Sequence, residues 1–121
     1  MAVDNKFSDQ VTTVGELKKY VEDFVVARNW TRSHSPKNLA MSIAIEAAEI
    51  MEHFQWGDRE DFTPELLGPE KIDEIRMEVA DVMIYMLSFC RALGIDLAEA
   101  VQSKQEKNEV RFPVDVVRFV E

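Results

Sequence analysis

The chain has 121 residues, 46% of them apolar and 31% charged, with four Gly, four Pro and a formal net charge of −9. Those proportions describe one helix-biased globular domain with room for a core, and they exclude a disordered or collagenous chain. So acidic a surface also excludes a nucleic-acid polymer as partner, because phosphate backbones are held by clustered Lys and Arg; a small phosphorylated ligand is compatible once a divalent cation neutralises its site.

The opening MAVDNKFSDQ carries neither the basic stretch nor the apolar run of a secretory signal. The first helix is expected to open at TVGE, where Thr13 caps and Glu16 closes a capping box. It runs on through LKKYVEDFVVARNW, with Leu17, Tyr20, Val21, Phe24 and Val25 at helical spacing. Ser35 is the expected N-cap of the second helix and Pro36 its first residue, where the missing N–H costs nothing. That helix is predicted to reach Trp56, with Gly57 as its stop, and residues 57–68 read as a loop with a short turn around Pro64–Leu67. Pro69 opens the third helix, which ends at Leu93 before Gly94. Asp96 caps the fourth, with Glu99 as its box partner, and Pro113 ends it after Phe112.

The domain is thus expected to fill residues 1–121, with its core over 13–113 and a tail over 114–121. The tail VDVVRFVE alternates weakly and reads as an extended arm packing on a neighbour. A lone cysteine, Cys90, lies in the run VMIYMLSFC and reads as a buried helix thiol in a reducing compartment. That run, bounded by Asp81 and Arg91, is too short to cross a bilayer. The expectation is a cytoplasmic protein without a membrane partner. Neither G-x-x-x-x-G-K nor G-x-G-x-x-G occurs, so phosphate binding needs another device.

Acidic residues supply that device. On a wheel advancing about 100° per residue, Glu46, Glu49 and His53 share one face with Leu39, Ile43, Ile50 and Phe54, whereas Glu52 turns outward. Glu78, Asp81 and Tyr85 likewise share a face with Ile75, Val82 and Phe89. An acid pair at i, i+3 is common on solvated helices, where Lys or Arg neutralise it. Two such pairs inside apolar faces are different, because unpaired buried carboxylates repel and are costly. A divalent cation with oxygen preference, Mg²⁺ or alternatively Mn²⁺, fits Glu46, Glu49, Glu78 and Asp81 as ligands. A di-iron bundle would need Glu-x-x-His on two helices, yet Ile50 stands three residues before His53 and the third helix has no His. His53 reads as a neighbour of the ligands.

E-x-x-E on one helix followed by E-x-x-D on the next resembles the all-α nucleoside triphosphate pyrophosphohydrolases of the MazG type. RNW, H-x-P-K-N-L, E-x-x-E-x-x-E-x-F-Q-W, E-V-A-D-V-x-I-Y and S-K…N-x-x-R-F-P together resemble its dCTP pyrophosphatase branch over residues 15–113. Ile45 departs from the double acid of many MazG-type proteins, as that branch does, and Ala47 and Ala48 keep the helix face small.

The resemblance implies a four-helix-bundle-type all-α fold assembled as a dimer or dimer of dimers, consistent with broad apolar faces on so short a chain. It implies Mg²⁺-dependent cleavage of the α–β phosphoanhydride of dCTP or modified dCTP to dCMP and pyrophosphate, which sanitises the nucleotide pool. Glu49, or Glu46 in exchange, would be the catalytic base. Trp30, Trp56, His34, Asn38 and Tyr85 would meet the base and sugar. Lys104, Asn108 and Arg111 share one face of the fourth helix and would meet the triphosphate. Two alternatives are a broad-specificity MazG-type hydrolase and a non-catalytic acidic helical adaptor.

Overall fold

Local end chemistry sets where the helices begin. Thr13 Oγ1 accepts the Glu16 amide at 3.1 Å while the Glu16 carboxylate accepts the Thr13 amide at 3.3 Å, closing the expected box at the start of α1 (Val14–Ala27). Asn29 adopts a left-handed φ of 57°, and the Trp30 amide turns back to the Val25 carbonyl at 3.1 Å. That cap ends α1 at Ala27, short of Trp30. After a single 3₁₀ turn at Thr31–Ser33, Ser35 Oγ accepts the Asn38 amide at 3.2 Å and Pro36 opens α2 (Pro36–Glu52).

The computed structural model describes residues 6–57 and 62–117. Its further helices are α3 (Pro64–Leu67), α4 (Pro69–Leu93), α5 (Leu97–Arg111) and α6 (Val114–Val117), and no strand occurs among the described residues. The all-α expectation holds. Gly94 ends α4 with a φ of 66°, and the Ile95 amide reaches the Cys90 carbonyl at 2.8 Å.

Three details correct the sequence reading. The second helix stops at Glu52 and does not reach Trp56: the Phe54 and Gln55 amides both turn to the Met51 carbonyl, at 3.0 and 3.1 Å. Phe62 packs edge-on against Phe54 with centroids 5.0 Å apart, which holds that turn. Glu99 does not complete a capping box; Asp96 accepts its amide at 3.1 Å, but its own carboxylate accepts from Ser103 Oγ at 2.9 Å. The tail is no extended arm over Val114–Val117, which forms the helical turn α6; residues 118–121 lie outside the described residues.

Helix α2 packs along α4 as the principal pair, α1 crosses α4, and α3 leans on α4. Leu39 of α2, Val25 of α1, and Leu87, Ser88 and Cys90 of α4 are the buried residues where these three helices meet. Lys18 Nζ donates to the Ile95 carbonyl at 2.8 Å and Arg91 faces Glu22 at 3.8 Å, tying α1 to the far end of α4. Helix α5 makes no contact of comparable breadth with the others. No helix among the described residues is long and apolar enough to cross a membrane.

Candidate active site

Packing α2 on α4 brings two acid pairs into one neighbourhood. Glu46, Glu49 and Glu78 are half-buried, whereas Asp81 and Glu52 are exposed. Burial holds the Glu46 carboxyl above its usual range, helped by the charges of Glu49 and Asp81, a hydrogen bond with Glu49, and the charge of Glu78. Each of the other three acids is therefore close enough to act on Glu46. Among the described residues no Lys or Arg pairs with any of the four, and the one basic partner is His53, whose Nε2 lies 2.5 Å from Glu78 Oε2.

No three His, Cys, Asp or Glu side chains among the described residues converge as a finished metal cage. The donor chemistry nevertheless fits a hard divalent cation: four carboxylates on two packed helices, crowded enough to raise the pKa of Glu46, with no Lys or Arg among the described residues to relieve them.

Beside the acids lies a cleft of about 380 Å³ lined by Tyr20, Val21, Phe24, Val25, Trp30, His34, Asp81, Ile84 and Tyr85. Its aromatic rings form a chain. Phe24 meets Trp30 edge-on at 5.6 Å, Trp30 lies 6.4 Å from His34, and His34 lies 6.4 Å from Tyr85. His34 Nδ1 is buried and has no hydrogen-bond partner, a costly state that a polar ligand edge would relieve. Asp81 belongs to both features: it lines the cleft and its charge reaches Glu46.

Trp30, His34 and Tyr85, singled out in the sequence, thus come together with Asp81. Asn38 does not line the cleft; its Nδ2 donates to the Ser33 carbonyl at 3.0 Å and braces the loop carrying His34. Trp56 is 87% exposed in the turn beyond α2 and is not part of the cleft. Lys104, Asn108 and Arg111 also lie outside it on α5, where Asn108 bonds Gln105 and Arg111 stacks on Phe112.

Tyr20 and Phe24 read in the sequence only as residues at helical spacing on the first helix, yet both are exposed walls of the cleft. Their signal was an aromatic i, i+4 pair a few residues before Trp30. Arg28 covers Phe24 from outside, its guanidinium carbon 3.6 Å from the ring centroid.

Residues 41–119 match the model of the MazG-like family. Among curated proteins, dCTP pyrophosphatase 1 of Mus musculus is 30% identical over 106 residues, which cover 88% of this chain and 62% of that protein. Its Bos taurus counterpart is 29% identical, with 88% and 63% covered. The chain therefore spans somewhat under two thirds of the length of these relatives. The crystal structure of a pyrophosphatase from Archaeoglobus fulgidus matches with a TM-score of 0.77 at 41% identity, covering 89% of this chain and 99% of that one.

Proposed function

The chain belongs to the MazG-like family, and from that membership we propose that it is a nucleoside triphosphate pyrophosphohydrolase using Mg²⁺, with dCTP or a modified dCTP as substrate. The observation that carries this reading is the double membership of Asp81, which joins an aromatic cleft to a cluster of carboxylates. A flat base needs the first and a cation-bound triphosphate the second. Two relatives named dCTP pyrophosphatase 1 and a neighbour named pyrophosphatase support the same class. An adaptor would keep its acids on open surface, whereas Glu46 and Glu49 are half-buried.

In this reading Trp30, His34 and Tyr85 hold the base and sugar, with the unpartnered His34 Nδ1 available to a polar base edge. Glu46, Glu49, Glu78 and Asp81 would hold Mg²⁺, which when bound would supply positive charge to offset that of the phosphates. Glu49 takes a proton from the water that attacks the α-phosphorus, and the bond to pyrophosphate breaks to leave the monophosphate. The working unit is the 13–113 region, and the buried, unpaired Cys90 suits the cytoplasm.

A second copy of the chain completes the assembly. Exposed apolar side chains on α2, α4 and α5, among them Ile45, Met83 and Val110, support that pairing. In that assembly Lys104, Asn108 and Arg111 of α5 serve the triphosphate in a neighbouring chain.

Pyrophosphate release from a panel of triphosphates tests the function. We expect dCTP to be preferred, with dependence on Mg²⁺ or Mn²⁺; equal rates for dATP and dCTP would sink the pyrimidine assignment. Glu49→Gln should lower the dCTP rate by about 10²- to 10⁴-fold at unchanged helicity, the usual worth of a general base. A near-normal rate would remove Glu49 from that role.

A further inference from the structure

His53 occupies an unusual place at the acid cluster. It caps the end of α2, its amide turning back to the Ile50 carbonyl at 3.2 Å, and its ring reaches across to α4. There Nε2 lies 2.5 Å from Glu78 Oε2, with the two side chains only 10% and 25% exposed. Among the described residues this is the one contact between a basic side chain and any of the four carboxylates. Glu46, Glu49 and Asp81 have no such partner.

We infer that His53 is a positioning residue: its Nε2–H holds one oxygen of Glu78 and leaves the other free for the cation. The inference rests on the metal reading proposed above. A glutamate in mid-helix has three rotatable side-chain bonds, and Glu78 shares its surroundings with the like charge of Glu46. A donor fixed to one oxygen removes much of that freedom before any cation arrives. A neutral imidazole suffices, because a single N–H makes the bond. The contact also links the last turn of α2 to the middle of α4, so the carboxylates on the two helices keep a set separation.

Hydrogen bonds from neighbouring groups to metal-ligating side chains are worth about 10- to 100-fold in metal affinity. The test compares the full chain with His53→Leu, which keeps bulk but loses the donor, and with His53→Gln, whose amide nitrogen restores it. Binding of Mn²⁺ alone, without nucleotide, is followed by the loss of the free-ion electron paramagnetic resonance signal. We expect His53→Leu to weaken Mn²⁺ binding by about 10- to 100-fold and His53→Gln to recover most of it. In turnover, His53→Leu should raise the metal concentration for half-maximal rate while kcat at saturating metal changes far less. Unchanged Mn²⁺ affinity in a folded His53→Leu protein, with the parent chain binding normally, overturns the positioning role alone. Failure of the parent chain to bind Mn²⁺ overturns the metal reading and this inference with it.

Discussion

Glu46 shows how a single side chain records its surroundings. Burial comes first among the causes that raise its pKa above the ordinary 4.5, and the charges of Glu49, Asp81 and Glu78 add to it. Between the unfolded and the raised folded pKa, the folded chain holds a proton on Glu46 that the unfolded chain releases. Stability from this group is therefore present below its unfolded pKa and is lost as pH rises through the higher folded value. In chelator, Glu46→Gln should raise the melting temperature more at neutral pH, where the parent carries more unrelieved charge, than near pH 4.5, where more of the carboxyl is protonated. Saturating Mg²⁺ should reverse the ranking at neutral pH, because the cation stabilises only a chain with its full ligand set. Thermal melts under these conditions check both signs, and a pH-independent difference would mean that Glu46 is not strained in solution.

At the scale of helices, the legible features were those written in neighbouring residues. The Thr13–Glu16 box, the Ser35–Pro36 start and the Gly94 stop are each decided within a few positions, and each is present in the fold. The acid pairs were legible for the same reason, since i, i+3 spacing fixes a shared face once the helix exists. The end of α2 was not, because it depends on Phe62, eight residues on in the sequence, which packs on Phe54 and stands 2.8 Å from where a Cβ on Gly57 would lie. Glu99 had two partners of equal reach, the Asp96 amide and the Ser103 hydroxyl, and took the second. The cleft walls formed by Tyr20 and Phe24 were hidden because helical spacing does not distinguish a core from a ligand pocket. Gly94 yields a prediction at this scale. A Cβ there meets nothing within 4 Å, so Gly94→Ala should destabilise only through its φ of 66°, by about 1 kcal/mol. Denaturant unfolding measures that loss, and Mn²⁺ binding should be untouched.

The molecule as a whole leaves its chemistry divided. Five described residues are buried, while Val110 is 83% exposed, Val114 80% and Ile45 61%. Helix α5, with its cationic face, makes no broad contact with the helices that carry the acid pairs and does not line the aromatic cleft. If α5 serves the site of a neighbouring chain, the two halves are separable by mutation. Glu49→Gln chains lack the acid side and Arg111→Ala chains lack the cationic side, so each variant alone should be slow. In a mixed oligomer, an intact acid cluster from an Arg111→Ala chain would meet an intact α5 from a Glu49→Gln chain. Refolding the two variants together should therefore restore part of the dCTP rate, with sedimentation velocity confirming a dimer or larger species. Sites contained within one chain predict no recovery at any mixing ratio. A normal rate in Arg111→Ala alone would remove that residue from the site. Val110→Glu supplies the converse: an added charge on the exposed apolar face of α5 should dissociate the oligomer and abolish the recovery, while each chain keeps its α2–α4 seam.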